Sequence, residues 1–374
     1  MKKVGVITFW YSQDNYGQIL QLYAMQEYLR HNGYDPYVIR FDNRNDKPAI
    51  LREETQKTFI QRVFSCIRNP GKIITFIEAK RRLHRITLQK DDKSRRFDDF
   101  RDKHITFSDK LYNTLAELKH APPAADAYLC GSDVIWKESV CNMAYFLDFG
   151  PDEIIRIAYA PSFGANSIST EYIKLISTYL NKFRYIGVRE NTGVNICDQI
   201  GVKSEWVPDP TLLLDRNVYQ NISSNKVKGE SKYIFVYLLN YPTKLSMKEI
   251  FKFAKKNNLE VLYVASQGQV DQYEKENLQI EEWLGGIANA EYVITNSFHC
   301  CAFSIIFNVP FSFISLNKSA ISMNDRVLSL LEMFNIPEVN VIDRLSLNNS
   351  LDWNLINAKL ETIKNKKYFL DILK

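Results

Sequence analysis

The 374-residue sequence predicts an α/β protein built from two halves, each with a buried parallel sheet, that face a central cleft. Short apolar runs, typical of buried parallel strands, alternate with helical patterns twice along the chain. A stretch rich in Asn, Ser and Lys at 217–231 separates the two alternations. Since a single core rarely grows past about 250–300 residues, a chain of this length favours two domains.

The first alternation opens with a βαβ unit: a strand at 3–9, a helix that ends at Gly33 and a strand at 37–41. A polar loop at 12–17 follows the first strand, so we expect it at a carboxyl edge of the sheet. Further strands are predicted at 127–130, 155–160, 185–188 and 205–207. We place the first domain at 1–215, with a basic helical insertion at about 52–104.

The second alternation follows a linker placed at 216–231. Strands are predicted at 233–239, 259–265, 292–295 and 311–314, with helices at 244–257, 280–290 and 325–334 between or after them. This gives a second α/β domain at 232–350. A last helix within 351–374 is expected to pack back on the first domain.

The composition narrows the class of protein. It is ordinary for a globular chain, and the net charge of +5 is too small to predict nucleic-acid binding. The six cysteines form no C-x-x-C pair, which argues against a zinc site and a disulfide framework and fits a reducing cytoplasm. We expect no signal peptide, because the first apolar run is too short for one, and no stretch approaches ~18 consecutive apolar residues. We expect a cytoplasmic protein, or one peripheral at the inner face of the cell membrane.

The catalytic motifs that are missing narrow the chemistry. The sequence has no G-x-G-x-x-G, no P-loop, no H-E-x-x-H and no G-x-S-x-G. It also has no Asp-x-Asp, which weakens a metal-dependent sugar-nucleotide site. We therefore expect a transferase that handles an anion without a metal or another cofactor.

The stretch 292–304 is the strongest candidate for a site. It reads as a strand, a polar turn and a helix, with Asn296 or Ser297 placed to cap the helix. His299 then lies in the first turn, where free N–H groups and the positive end of the helix dipole bind anions. A position after a strand's carboxyl end favours a functional role. The alternative is that His299 is an ordinary buried core residue.

Several segments, in order from residue 4 to about 335, resemble the polysaccharide pyruvyl transferase family. They are Asp14-Asn15-Tyr16-Gly17 with Leu20-Gln21, Leu129-Cys130-Gly131-Ser132-Asp133 with Trp136, Tyr145-Phe146-Leu147-Asp148-Phe149, Ile157-Ala158-Tyr159-Ala160 with Ser162-Phe163-Gly164, Val188-Arg189-Glu190, Asp209-Pro210-Thr211-Leu212-Leu213, and Thr295-Asn296-Ser297-Phe298-His299 with Phe303-Ser304. Each segment is weak evidence alone, but the ordered set is specific.

The resemblance implies a fold of two Rossmann-like domains similar to that of GT-B glycosyltransferases. It also implies transfer of the pyruvyl group of phosphoenolpyruvate onto two hydroxyls of one sugar, as a cyclic ketal in a surface polysaccharide or a lipid-linked precursor. His299 would be the catalytic histidine and Arg189 would hold the donor's phosphate or carboxylate. Asp133 could share the proton transfers, and whether His299 acts as acid or base stays open at this stage.

The remaining site residues are predicted from the same loops. Substrate contacts are expected at Asn15, Tyr16, Gly17, Ser132, Trp136, Ser162, Asn296, Ser297 and Phe298. Some family members have Arg-Leu-His where this chain has Ser297-Phe298-His299, and Arg326 is a candidate substitute for that arginine. Cys300 stands where a small residue, often Gly, commonly follows the family histidine.

Other functions are compatible with the same sequence. One is a glycosyltransferase that uses a nucleotide sugar, and another is a non-catalytic glycan-binding relative. The segment 52–104 carries 15 Lys and Arg against 8 Asp and Glu, a charge of +7. A basic amphipathic helix there could rest on an anionic membrane that holds a lipid-linked acceptor, or simply pack on its own domain.

Overall fold

The computed structural model describes residues 1–11, 15–42, 94–224, 231–239, 245–266, 271–315, 321–337 and 351–374. Most of the basic segment predicted at 52–104, and part of the linker predicted at 216–231, lie outside these residues. Of the basic segment, residues 94–104 are described, and they contain one helix.

Two parallel sheets form the framework of the described chain. The larger has the strand order β3-β2-β1-β4-β5-β6-β7, where β1 is Lys3–Ile7, β2 Asp35–Phe41, β3 Phe107–Tyr112, β4 Ala127–Cys130, β5 Ile155–Tyr159, β6 Tyr185–Val188 and β7 Glu205–Trp206. The smaller has the order β11-β10-β8-β9, where β8 is Tyr233–Tyr237, β9 Glu260–Val264, β10 Tyr292–Thr295 and β11 Phe311–Phe313.

Helices connect and cover these strands. They are α1 Tyr16–His31, α2 Phe97–His104, α3 Leu115–His120, α4 Thr170–Leu180, α5 Asn191–Ile200, α6 Arg216–Ile222, α7 Met247–Lys256, α8 Ile280–Ala288, α9 Phe298–Phe307, α10 Ile321–Met333, α11 Trp353–Asn365 and α12 Leu370–Leu373. Single 3-10 turns occur at Met143–Phe146 and Pro210–Leu213.

The predicted fold class is confirmed: the chain is an α/β protein with two Rossmann-like parallel sheets in a GT-B-like arrangement. Strands such as β4 and β8 are buried along their whole length, which explains their continuous apolar sequences. β3 was not predicted because Asp109 and Lys110 interrupt its apolar residues. It lies at the sheet edge, where charged side chains are common.

The two sheets share a core in which α9 is central. Every residue of α9 is buried, as expected for a helix whose sequence is apolar all round. Beside it, the Tyr16 ring of α1 stacks on the Trp283 ring of α8, with centroids 5.1 Å apart and planes 8° apart. The Tyr16 hydroxyl donates to the carbonyl of Leu278 at 2.6 Å. The start of α1 is therefore packed against the part of the chain that carries the smaller sheet.

The predicted linker and the carboxyl-terminal segment both contain helices. Helix α6 lies within the segment predicted as a linker, and its Tyr219 is fully buried. The chain predicted as one last helix forms two, α11 and α12. The Phe369 ring, at the start of α12, lies 5.1 Å from the ring of Tyr159 and 6.2 Å from the ring of Tyr28. In the described part of the chain, no helix combines the length and the apolar character needed to cross a membrane.

Replacing Tyr16 tests this packing. We expect Tyr16→Ala to lower the free energy of unfolding by about 3–5 kcal/mol, because a buried aromatic ring and its stack are lost. Tyr16→Phe keeps the ring and loses only the hydrogen bond to Leu278, which costs about 1 kcal/mol. Phe251→Ala is the control, since that ring is 37% exposed. Urea unfolding followed by tryptophan fluorescence measures all three, and a Tyr16→Ala loss no larger than the control's would contradict this assignment.

Candidate active site

Changes of direction in the strand order mark the place of the candidate site. In the larger sheet the chain builds outward from β1 to β3 and then resumes with β4 on the other side of β1. In the smaller sheet, β8 lies between β9 and β10 in the same way. Ligands of open parallel sheets bind at the carboxyl ends of strands at such switch points. The loops after β1, β4 and β10 meet there.

His299 is held in the first turn of α9. The N-cap of that helix is Ser297, whose hydroxyl accepts from the backbone N–H of Cys300 at 3.5 Å. Asn296 has a different task, because its side-chain amide pairs with the backbone of Leu239 at 2.6 and 3.0 Å. The His299 side chain is 9% exposed, and its Nε2 lies 3.6 Å from Oδ2 of Asp209. Among the described residues, this Nε2 has no hydrogen-bond partner.

Arg189, directly after β6, forms a buried ion pair with Asp209. Its Nη1 donates to Asp209 Oδ2 at 3.0 Å, and its Nη2 lies 3.6 Å from Oδ1 of Asp133. The hydroxyl of Ser132 lies 2.9 Å from Asp209 Oδ2 and 3.4 Å from Arg189 Nη1. The other oxygen of Asp209 accepts from the backbone N–H and the hydroxyl of Thr211. Three loops of the larger sheet, those after β4, β6 and β7, are thereby joined around one guanidinium.

The loop after β4 needs an unusual backbone to deliver Asp133. Gly131 has φ +114°, and a Cβ there would lie 2.1 Å from the carbonyl oxygen of Tyr159, so only glycine fits. Asp133 itself has φ +73°, a region that Asp tolerates better than most residues. Its Oδ1 accepts from the Val134 N–H at 2.8 Å, and its Oδ2 accepts from Gln18 Nε2 at 3.2 Å.

Arg189, Asp133, Asp209 and His299 form a charged cluster, and the charges in it shift the pKa values of the two carboxyl groups. Burial acts to raise the pKa of Asp209, but His299 and Arg189 outweigh it and hold that pKa well below its ordinary value. Burial likewise opposes ionisation of Asp133, and its pKa is lowered by Arg189, His299 and Arg326. Both carboxylates are therefore ionised at neutral pH.

The buried carboxyl of Glu190 behaves differently from those of Asp133 and Asp209. Burial dominates and raises its pKa, although Arg189 and a hydrogen bond from Ser162 act in the opposite direction. Glu190 Oε1 accepts from the Ser162 hydroxyl at 2.8 Å and from the Phe163 N–H at 3.0 Å. These contacts fix the loop that follows β5.

Arg189 keeps hydrogen-bonding capacity that the described residues do not use. The side chain is 1% exposed, yet its Nε and Nη2 have no hydrogen-bond partner within the described part of the chain. Its guanidinium lies over the Phe298 ring, 4.8 Å from the centroid, which fixes its plane. Buried donors without partners are costly, so this arrangement suits an anionic ligand that would accept from them.

The amino ends of three helices also lie at this cluster. α9 carries His299 in its first turn, and α5 begins directly after Arg189 and Glu190. At the start of α1, a Cβ on Gly17 would lie 2.2 Å from Cγ and Nδ1 of the His299 ring, so the two are in direct contact. Asn15 caps α1 by accepting from the Gln18 N–H at 3.2 Å. Positive helix ends add to the attraction for an anion.

The structure brings together some of the predicted site residues but not all. His299, Arg189, Asp133, Ser132, Gly17 and Phe298 surround one point, and Arg326 of α10 is close enough to influence Asp133 and Glu190. Tyr16 and Trp136 are instead fully buried packing residues. The indole N–H of Trp136 donates to the carbonyl of Tyr145 at 2.9 Å, and its ring stacks on Phe146. Asn15, Asn296 and Ser162 hold loops in place.

Sequence reasoning did not select two residues that the structure places in the cluster, Asp209 and Gln18. Asp209 follows β7 within Pro208-Asp209-Pro210-Thr211, and an acidic residue after a parallel strand was the available signal. Gln18 had no such signal, because one glutamine in a helix usually faces solvent. Among the described residues, no three His, Cys, Asp or Glu side chains are grouped closely enough to hold a metal ion.

Replacing Asp209 tests the buried ion pair. We expect Asp209→Asn to lower the free energy of unfolding at pH 7 by about 3–5 kcal/mol, because Arg189 loses its closest partner. Since the folded pKa of Asp209 is depressed, its stabilising effect is present above the ordinary Asp pKa of about 3.9 and declines as the pH falls below it. The difference between wild type and variant should stay constant from pH 8 to about pH 5 and narrow below about pH 4.

Urea unfolding across that pH range is the measurement. Asp152→Asn is the matched control, because the Asp152 side chain is 95% exposed and should give little change. An Asp209→Asn protein as stable as wild type at pH 7 would show that the pair does not support the fold.

Several solved structures are similar to the chain in fold. The solved structures that are similar to it include a UDP-GlcNAc 2-epimerase from Methanocaldococcus jannaschii, with 14% identity, 98% of this chain and 94% of the other covered, and a TM-score of 0.44. Another is a putative UDP-N-acetylglucosamine 2-epimerase from Listeria monocytogenes, with 10% identity, 99% of this chain and 97% of the other covered, and a TM-score of 0.46. A third is a spinosyn rhamnosyltransferase, with 9% identity, 99% of this chain and 93% of the other covered, and a TM-score of 0.40. Likeness at this level says nothing about what this chain binds. No curated protein matches the chain.

The family comparison is decisive. The family described as polysaccharide pyruvyl transferase matches residues 15–318, which include His299, Arg189, Asp209 and Asp133. The match spans most of the chain and includes every strand except β1. The chain therefore belongs to the polysaccharide pyruvyl transferase family.

Proposed function

We propose that this transferase moves the pyruvyl group of phosphoenolpyruvate onto two hydroxyls of one sugar, forming a cyclic ketal and releasing phosphate. The sugar would belong to a surface polysaccharide or to its lipid-linked precursor. The observation that carries the proposal is Arg189, buried with unused donors beside His299 in a chain of this family. The transfer balances without a redox or metal cofactor, because the donor carries its own leaving group.

The donor would bind where the helix ends and Arg189 converge. Phosphoenolpyruvate has a phosphate and a carboxylate, and the planar fork of an arginine suits either group. Nε and Nη2 of Arg189 would donate to one of them, while free N–H groups at the starts of α9 and α1 would approach the other. Phe298 keeps the guanidinium plane fixed. Arg326, on α10, could add positive charge in the role suggested by the resemblance.

His299 would carry the proton transfers. In its protonated form it faces Asp209 Oδ2 at 3.6 Å, and that carboxylate would stabilise the imidazolium. The imidazolium would give its proton to the methylene carbon of the donor, leaving an oxocarbenium-like carbon that the first sugar hydroxyl attacks. Neutral His299 would then take the proton of that hydroxyl. The second sugar hydroxyl would then attack the same carbon. The bond between that carbon and the phosphate oxygen would break, and the proton of the second hydroxyl would leave with the phosphate.

We assign Asp133 a positioning role, which revises the sequence-based idea that it shares the proton transfers. Its lowered pKa makes it a weak proton acceptor. Its contacts with Arg189 and Gln18 suit a residue that orients the guanidinium and the start of α1. Asp209 would have a similar role and orient Arg189 and His299. Ser132 and Ser297 would support these groups through their hydroxyls.

We also propose where in the cell the protein works. A lipid-linked acceptor would require the protein to work at the cytoplasmic face of a membrane. The basic residues predicted to guide it there fall mostly within 52–93, outside the described residues. Vesicle flotation with and without anionic lipid tests this point directly, and binding that does not depend on anionic lipid would remove the electrostatic explanation.

Two substitutions separate donor binding from chemistry. We expect His299→Gln to lower kcat by about 10²–10⁴-fold while phosphoenolpyruvate still binds, because only the proton transfer is lost. Arg189→Lys keeps the charge but loses the planar fork, so the Kd for phosphoenolpyruvate should rise at least tenfold. Phosphate release with a panel of methyl hexopyranosides and thermal-shift titration measure the two effects. A donor at 100 times its Kd adds about 2.7 kcal/mol to the stability of the wild type.

Two results would contradict these assignments. Stabilisation by uridine diphosphate or a sugar nucleotide, with none from phosphoenolpyruvate, would support a glycosyltransferase instead. A His299→Gln protein with wild-type phosphate release would remove His299 from the chemistry.

Gly17 tests the contact between α1 and the catalytic ring. A methyl group on Gly17 would overlap the His299 ring, so Gly17→Ala should displace the imidazole and lower kcat at least tenfold. Gly33→Ala is the comparison, because no atom lies within 4 Å of the added Cβ. Its positive φ makes alanine costly for stability, but kcat should not change. Equal kcat values for both variants and wild type would contradict the close packing.

A further inference from the structure

A cavity lies beside the charged cluster of Arg189, Asp133, Asp209 and His299, and its lining is mostly aromatic. Its volume is about 270 Å³, and aromatic rings that include Trp10, Tyr11, Phe41 and Tyr145 form most of its wall. Gln18 and Asp42 supply polar groups to it. No arginine or lysine is among the described residues that line it, and the nearby Arg101 guanidinium packs over the Tyr11 ring, 5.1 Å from its centroid.

Gln18 forms a wall common to the cavity and the cluster. It lines the cavity, and its Nε2 donates to Asp133 Oδ2 at 3.2 Å. It also follows Gly17, the residue in contact with the His299 ring. A ligand in the cavity would therefore lie one side chain away from the groups proposed to carry out the transfer.

The aromatic wall is fixed by its own contacts. The Trp10 indole N–H donates to the carbonyl of Phe41 at 3.0 Å, and the Trp10 ring meets the Phe107 ring edge-on at 5.6 Å. The ring of Phe41 meets that of Tyr145 edge-on at 5.8 Å. Burial, followed by the charges of Asp42 and Asp133, raises the pKa of Tyr145, so its phenol stays neutral. The cavity is pre-formed, which lowers the entropic cost of binding.

The lining indicates the class of ligand. A sugar ring has apolar C–H faces that pack on aromatic rings and hydroxyls that pair with amide and carboxylate oxygens. The Asp42 carboxylate disfavours a phosphate or a nucleotide. The volume is just below the ~300–1,000 Å³ of sites for drug-sized ligands, which fits one ring better than a nucleotide sugar.

We propose that this cavity is the acceptor subsite, which binds a single neutral sugar ring and presents its hydroxyls to the cluster past Gln18. The inference rests on the proposed function and adds to it the position and chemical class of the acceptor. Donor and acceptor would then be sorted by charge. The anionic donor goes to Arg189 and the helix ends, and the neutral sugar goes to the aromatic cavity.

The experiment measures sugar binding separately from turnover. Methyl β-galactoside, methyl β-glucoside and methyl β-mannoside are titrated into the wild-type protein, with saturation-transfer NMR as the readout and uridine diphosphate as the competing probe. We expect at least one glycoside to bind and Asp42→Asn and Tyr11→Ala each to raise its Kd at least tenfold. Tyr11 is 47% exposed, so its replacement should leave the fold intact. Asp35→Asn is the matched control, since Asp35 begins the same strand β2 and lines a different cavity.

Each outcome bears on the inference. Glycosides that bind equally to wild type, Asp42→Asn and Tyr11→Ala overturn it, as does binding of none of them or their displacement by uridine diphosphate. The proposed function is judged separately, by phosphoenolpyruvate binding in the same variants. Unchanged phosphoenolpyruvate affinity with weakened glycoside binding supports both proposals. Selective glycoside binding without any effect of phosphoenolpyruvate would keep the sugar subsite and remove the proposed donor.

Discussion

The buried ion pair between Arg189 and Asp209 is the interaction on which the rest of the site depends. Asp209 accepts from Arg189, Ser132 and Thr211, and faces His299. A buried pair of this kind gains little stability over apolar packing, because both charges lose their hydration. What the fold gains instead is a guanidinium held rigidly, whose Nε and Nη2 have no hydrogen-bond partner among the described residues. The pair is better understood as a device for presenting donors than as a source of stability.

His299, the proposed catalytic residue, reaches this pair only because the two sheets pack together. His299 comes from the smaller sheet, whereas its neighbours Gly17 and Asp209 come from the larger. The stack of Tyr16 on Trp283 and the fully buried helix α9 hold the two parts in register. Packing in the core and geometry at the site are therefore coupled through a few residues at the start of α1.

In the proposed arrangement, the charged cluster and the aromatic cavity bind substrates of different charge. Near Arg189, three helix amino ends and a guanidinium create a place for an anion. Beyond Gln18, aromatic rings and Asp42 create a place for a neutral polar ring. One glutamine side chain and the Asp133 carboxylate stand between them. The proposed arrangement would keep each substrate out of the other's site and bring the reacting groups to a common boundary.

The sequence by itself determined the elements that depend on local pattern. Apolar runs identified most strands, and the strand-turn-helix around His299 placed that residue at a helix start because capping and dipole are local effects. The ordered motifs also pointed to Arg189 and to the family. Only the tertiary structure decided that Asp209 joins Arg189 to His299, that Gln18 lines a cavity and also contacts Asp133, and that Tyr16 and Trp136 are packing residues. These depend on contacts between distant parts of the chain, where loop position and burial, not residue type, decide what a side chain meets.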